Sequence, residues 1–305
     1  MDEGLNVTYI TLGGYVEMEK YRYVYFVIIF TVYILIICSN STIVFLIVIH
    51  QNLHEPMYIF IAALLINSVL LSTTIHPKLL IDVLSKKQIT SHSVCHFQYF
   101  IFYTSCGSEF YLLAAMAYDR YVSICKPLQY VTIMGKPTVS VFLVLSWFVP
   151  ACQIAGSAAL SANRKICNFT LKGIFCNNAV YRLHCVSSSV LSVYGVICLL
   201  TIFFPMLYII FTYTKILLVC HRSSKEVRTK AAQTCLPHLI VLINFFLFGS
   251  FDTIVLRLES DIPKTAHLIM NLQLVLYHPL FNPIIYGLKM KEISKHLKRL
   301  FCKIK

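Results

Sequence analysis

Seven stretches of the chain are apolar for long enough to cross about 30 Å of hydrocarbon at a rise of about 1.5 Å per residue. They are 23–49, 57–83, 92–125, 138–161, 189–219, 231–256 and 264–287. Within them the hydrophobic residues run together, without the polar face of a soluble amphipathic helix. Pro150, Pro205, Pro237, Pro279 and Pro283 fall inside these stretches. Membrane helices tolerate such breaks when neighbouring groups satisfy the freed carbonyl. The connections are short except for the segment 162–188. The pattern predicts an all-α membrane protein, a seven-transmembrane helix bundle over 23–288 behind an outer tail of residues 1–22. In 289–305, apolar Met290, Ile293, Leu297, Leu300 and Phe301 recur at three and four residues with lysines between them. That spacing predicts a short basic amphipathic helix on the inner leaflet. Cys302 would there be either palmitoylated or an unmodified thiol.

Composition supports lipid as the main solvent. Hydrophobic residues make up 58 % of the chain, charged residues 13 %, and mean hydropathy is +0.73. A soluble domain carries about 25 % charged residues. The net charge of +13 does not indicate nucleic acid, because no basic-aromatic face or nucleic-acid motif accompanies it. With the C-terminus inside, Lys126, Lys136, Lys215, Arg222, Lys225, Arg228, Lys230, Lys289, Lys291, Lys295, Lys298 and Arg299 gather on the cytoplasmic side. The positive-inside rule then puts the N-terminus outside, against the minority vote of Lys86, Lys87, Arg164 and Lys165. The first apolar run is too long for a signal-peptide core and reads as a span that also directs insertion. Asp2 excludes N-myristoylation.

Most of the 12 cysteines lie inside spans, where a thiol behaves as a small hydrophobe. Cys95, Cys167, Cys176 and Cys185 instead fall at the outer end, facing an oxidising compartment. Spacing alone leaves three pairings open. No metal-ligand spacing supports a metal site. Of the sequons, Asn6-Val7-Thr8 lies in the outer tail and is the expected glycan site. Asn168 adjoins Cys167, and Asn40 lies within a span.

Two motifs carry mechanism. From Cys95 to Arg120 a helix rises roughly 37 Å, so Asp119-Arg120-Tyr121 sits at the inner face when Cys95 sits at the outer. An adjacent Asp can restrain Arg120 by a charge-assisted pair until a partner competes for it. Asn282-Pro283-Ile284-Ile285-Tyr286 ends the last span. There proline loosens the helix, and Asn282 and Tyr286 offer polar groups that can change partners. No paired acids, metal cluster or nucleophile constellation suggests an enzyme. A channel or transporter is disfavoured because no inverted repeat or intramembrane charge path is evident.

The chain resembles the vertebrate odorant receptors, a family of rhodopsin-like G-protein-coupled receptors, over nearly its full length. The resemblance rests on Leu53-His54-Glu55-Pro56-Met57-Tyr58, on the run from Met116 to Cys125, on the run from Lys230 to Leu239, and on the run from Pro279 to Tyr286. Ser123 stands where Ala is commoner in the family, and Phe281 where Leu is usual. The inner-loop version resembles the fish-type or class I branch.

The resemblance implies disulfides Cys95–Cys176 and Cys167–Cys185. It also implies a ligand pocket in the outer half, for which the candidates are Tyr99, Phe102, Tyr103, Cys106, Ile197, Phe246, Ser250, Thr253 and Arg257. Each has inter-helix packing as its alternative role. Arg257 suits bidentate capture of an anion, or else a loop pair with Glu259 or Asp261. Coupling and switching would fall to Asp119, Arg120, Tyr121, Tyr213, Asn282, Pro283 and Tyr286.

Departures from the wider class narrow this reading. Ser68, beside Asn67, stands where rhodopsin-like receptors keep a sodium-binding Asp, and Glu109 matches a Glu that odorant receptors add in the third span. Glu109 would either be protonated and bonded to Asn67 or Ser68, or hold a sodium ion, the one cofactor considered. Arg228 replaces an acid that would lock Arg120, no lysine near Leu276 could hold retinal, and Phe102 replaces the Asp of amine receptors. The implied protein is an odorant receptor of the plasma membrane, in olfactory sensory neuron cilia. It would bind a small odorant and activate a stimulatory, olfactory-type heterotrimeric G protein, raising cyclic AMP. The alternative is a rhodopsin-like receptor for a lipid or carboxylate in non-sensory tissue.

Overall fold

The computed structural model describes residues 9–161, 164–186, 188–221, 225, 229, 235–236, 238–243 and 263–304. Five long helices come first: α1 (Met18–Ile49), α2 (Pro56–Leu84), α3 (His92–Cys125), α4 (Lys136–Ser161) and α5 (Ser189–His221). The last span is built from α6 (Lys264–Leu272), a π-helical turn (Gln273–Tyr277) and α7 (His278–Lys289). The amphipathic α8 (Lys291–Ile304) follows it. The sixth apolar stretch falls mostly outside the described residues, with a helical piece at 238–243.

The helices form an all-α membrane bundle whose surface is fitted to hydrocarbon. Val24, Val27, Phe30, Phe45 and Val48 of α1 are exposed, as are Val144 and Phe148 of α4 and Leu200, Phe204, Leu207 and Phe211 of α5. Large apolar side chains left outward would be a liability in water and are favourable in lipid. Several hydroxyls within spans turn back on their own helix: Ser39 donates to the Leu35 carbonyl at 2.7 Å, Thr42 to Cys38 at 2.7 Å and Ser146 to Phe142 at 2.7 Å. This spares each hydroxyl a partnerless position in lipid.

The least lipophilic span, α3, is the hub, packing against α2, α4 and α5. It buries Phe102, Ser108, Glu109, Leu112, Met116, Asp119 and Arg120. Gly107 permits a close approach of α3 to α4: a Cβ there would lie 2.7 Å from the Cβ of Pro150. Of the prolines read from the sequence, Pro150, Pro205 and Pro283 lie inside helices, Pro279 opens α7, and Pro237 is outside the described residues. Pro77 adds a break in α2 that the sequence reading did not name.

The outer tail is more ordered than its polar composition suggests. Tyr9–Leu12 forms β1, which runs antiparallel to β2 (Ile89–Ser91) and parallel to β3 (Thr170–Leu171), in the order β2-β1-β3. Period-two alternation buries Ile10 and Leu12 and exposes Tyr9 and Thr11. Ile10 and Leu12 join Cys95, Leu171, Cys176 and Leu183 in a small outer core. Below it, α1 begins at Met18, ahead of the expected Tyr23, after Glu17 adopts a left-handed conformation with φ 44°. Tyr15, in this connection, has its hydroxyl pKa raised by burial and secondarily by the charge of Asp82.

Two disulfides brace the long outer loop. Cys95 at the start of α3 joins Cys176, and Cys167 joins Cys185. At the inner end, α8 folds back under the bundle, burying Ile293 in the main core. His296 of α8 stacks on His50 with ring centroids 3.8 Å apart, and Asn52 lies 3.3 Å from His296 Nε2.

Candidate functional site

Functional side chains lie at three depths along α3. At the inner end, Asp119 and Arg120 are both buried, and the Arg120 guanidinium binds Asp119 Oδ2 through Nε at 3.0 Å and more closely through an NH2. The other carboxylate oxygen, Oδ1, accepts the Tyr130 hydroxyl at 2.8 Å. Tyr130 begins a single helical turn (Tyr130–Ile133) in the connection to α4, and the sequence reading gave it no role. Burial, followed by the Asp119 charge, raises its pKa, so it donates as a neutral phenol. Ser123 donates to the Arg120 carbonyl at 3.0 Å.

Tyr121 is half-buried beside this clamp. Tyr213 of α5 is buried, and its hydroxyl has no hydrogen-bond partner among the described residues. Tyr286, fully buried, lies 3.5 Å from His238 Nδ1 through its hydroxyl. Arg228 is outside the described residues.

At mid-depth, Glu109 is 1 % exposed, and its surroundings differ from those expected. Its Oε1 lies 2.6 Å from His278 Nε2 and accepts the Asn282 amide at 2.9 Å. Asn282 also donates to Ser68 at 3.2 Å. Asn67 is turned elsewhere, donating to the Ser105 carbonyl at 2.9 Å and accepting the Trp147 indole at 3.3 Å. Among the described residues, the hydrogen bond expected from Glu109 to Asn67 gives way to one from Asn282 of the last span, with His278 beside it, and Ser68 is reached through Asn282. His278 and Asn282 are four residues apart and share a helical face, so the start of α7 aims both at one carboxylate. Pro283 follows Asn282 inside α7, and Asn40 of α1 donates to the Pro279 carbonyl at 3.0 Å.

At the outer end, Tyr99, Phe102 and Tyr103 meet the disulfide-held loop. Phe102 packs against Phe175 with ring centroids 4.9 Å apart and planes tilted by 50°, and both are 1 % exposed. Tyr99 lies 4.7 Å from Tyr103 and 5.4 Å from Tyr181. Its hydroxyl donates to Asn178 at 3.3 Å, the Asn178 N–H donates to Tyr103 at 3.0 Å, and the Cys176 N–H donates to Gln98 at 3.0 Å. Cys106 lies half-buried below this layer, packed with Tyr103 against the Phe102 and Phe175 cluster. Ile197 does not belong to the group: it is 51 % exposed on α5, in line with exposed Val193, Leu200 and Phe204, and faces lipid. Phe246, Ser250, Thr253 and Arg257, like the sequon at Asn6, lie outside the described residues.

The arrangement is a polar relay inside an apolar bundle, with an aromatic outer end and a clamped arginine at the inner one. A family model described as olfactory receptor matches residues 29–304. The chain belongs to the olfactory receptor family. Human relatives agree along nearly the whole length. Olfactory receptor 2T11 of Homo sapiens is 32 % identical over 295 residues, covering 95 % of this chain and 93 % of that protein. Olfactory receptor 2T2 of Homo sapiens is 32 % identical over 309 residues, with 98 % and 93 % covered, and olfactory receptor 2M5 of Homo sapiens is 29 % identical over 306 residues, with 99 % and 97 % covered. An olfactory receptor is a multi-pass membrane protein that couples to a G protein and is not an enzyme.

Proposed function

We propose that this olfactory receptor binds a small odorant in its outer half, under the disulfide-held loop, and activates a stimulatory, olfactory-type G protein. The observation that carries this reading is the position of Arg120. It is buried and held by its neighbour Asp119, which Tyr130 holds in turn. Such a group is stable when paired and costly when its partner leaves. It suits a switch that opens only when a competing partner arrives. An odorant that fits the active arrangement better shifts the population toward it. The inner end of the sixth span then moves outward, and Arg120, Tyr213 and Tyr286 turn toward the C-terminal helix of the G protein. The basic stretch from Lys215 to Lys230 borders that docking surface.

The outer pocket would take its walls from Tyr99, Phe102, Tyr103 and Cys106, and Phe246, Ser250, Thr253 and Arg257, outside the described residues, are the sequence's candidates for completing it. The aromatic layer favours a mainly apolar ligand with one polar group for the tyrosine hydroxyls or Arg257. Cyclic AMP is the expected second messenger, and the plasma membrane of olfactory sensory cilia the expected location. The test is a cyclic-AMP reporter in cells carrying the full receptor, challenged with acids, alcohols, amines and steroids. At least one compound should raise the signal, and Arg120→Ala should abolish that response at unchanged surface level. Responses that persist without a stimulatory G protein would overturn the coupling. Unchanged potency of carboxylates on Arg257→Ala would remove the anion role of Arg257.

A further inference from the structure

We infer that His278 takes the place of a metal cation at Glu109, so that the mid-membrane carboxylate is held by the protein's own side chains and binds no sodium. Glu109 Oε1 faces two nitrogens, His278 Nε2 at 2.6 Å and Asn282 Nδ2 at 2.9 Å. All three side chains are buried, at 1 %, 3 % and 1 % exposure for Glu109, His278 and Asn282. A hard cation is held by oxygen ligands that surround it. Here the two atoms nearest the carboxylate oxygen are nitrogens, the donating amide of Asn282 and the imidazole of His278, and neither is an oxygen ligand.

Of the other oxygens nearby, those of Ser68 and Asn67 are engaged, while Asn282 Oδ1 has no hydrogen-bond partner among the described residues. Ser68 accepts from Asn282 at 3.2 Å and donates to the Leu64 carbonyl at 3.2 Å. The Asn67 carbonyl oxygen accepts the Trp147 indole at 3.3 Å. Sodium is therefore offered a carboxylate oxygen already flanked by two nitrogens, the single amide oxygen of Asn282, and no free oxygen from Ser68 or Asn67, too few to surround it. The residues do not fit the ion. Instead, the imidazole ties α3 to the first turn of α7, where a mobile ion would be exchangeable.

The inference is independent of which odorant or G protein the receptor uses, and its test needs neither. The purified full-length receptor is unfolded thermally in lipid discs, in sodium chloride and in choline chloride of equal ionic strength. The natural chain should give superimposable curves. His278→Asn replaces the ring with a side chain that offers a carbonyl oxygen, and should gain a sodium-dependent rise in midpoint of about 2–4 °C. Adding Glu109→Gln should remove that gain. A sodium-dependent rise in the natural chain that Glu109→Gln abolishes would overturn the inference, as would a folded His278→Asn receptor indifferent to sodium. Should His278→Asn fail to fold, the sodium NMR linewidth with the natural receptor decides. A line unaffected by the receptor supports the assignment, and broadening that Glu109→Gln removes refutes it.

Discussion

At the scale of single residues, Tyr130 sets how firmly Arg120 is held. It fixes one oxygen of Asp119 while Arg120 uses the other. A hydrogen bond to a charged group contributes about 1.5–3 kcal/mol. Tyr130→Phe should therefore release part of the restraint and shift the resting equilibrium toward the active form by about tenfold. Higher ligand-independent cyclic AMP at equal surface expression checks this. Tyr213 should behave in the opposite way. Its hydroxyl is buried without a hydrogen-bond partner among the described residues, so Tyr213→Phe should leave the unfolding temperature unchanged or slightly higher while lowering the maximal response. A large loss of stability would mean that Tyr213 already has a partner at rest. The pairing of Asp119 with Arg120 was legible in the sequence because the motif is contiguous. Tyr130 was not, since it acts from a loop turn with no periodic pattern. The partner of Glu109 was partly legible: His278 and Asn282 stand at helical spacing in the sequence, but the reading looked for help on α2, where Asn67 proved to belong to Ser105 and Trp147.

Elements show how tightly these residues are positioned. Close approach of α3 and α4 depends on Gly107, where any Cβ would meet Pro150 at 2.7 Å. Gly107→Ala should cost about 1–3 kcal/mol through overpacking, read as a lower unfolding temperature, and Pro150→Ala should recover part of it. The two disulfides are unequal constraints. Cys95–Cys176 spans 81 residues and Cys167–Cys185 spans 18. Loop-closure entropy makes removal of the longer link costlier by about 1 kcal/mol. Paired Cys→Ser variants should show the larger fall in unfolding temperature for Cys95 and Cys176. Helix limits were largely readable, because a run of apolar residues is a strong local signal: α2, α3 and α4 fall within two residues of the limits expected from hydropathy. The outer sheet was not readable. Its three short strands lie far apart in the chain and owe their stability to the disulfide-braced core.

At the scale of the whole molecule, the seat of α8 under the bundle should respond to pH. His296 stacks on His50, and burial first, then the charge of His50, lowers its pKa from the ordinary 6.5. A depressed value means that the folded seat disfavours protonation, so its stability is complete above about pH 6.5 and declines as pH falls below that. Amide exchange over Lys291–Ile304, corrected for intrinsic rate, should quicken at acidic pH, and His296→Gln should flatten the dependence. The opposite end of the receptor answers to force. Because β1 is the middle strand, the strand pairing of both β2 and β3 runs through it, beside the Cys95–Cys176 link. The outer tail is thus a zip shared by two loops. Traction on the N-terminus, from a tether or a bulky fused tag, would reach the disulfide-held roof of the ligand region before it loaded any span, so the tail is a handle on the roof.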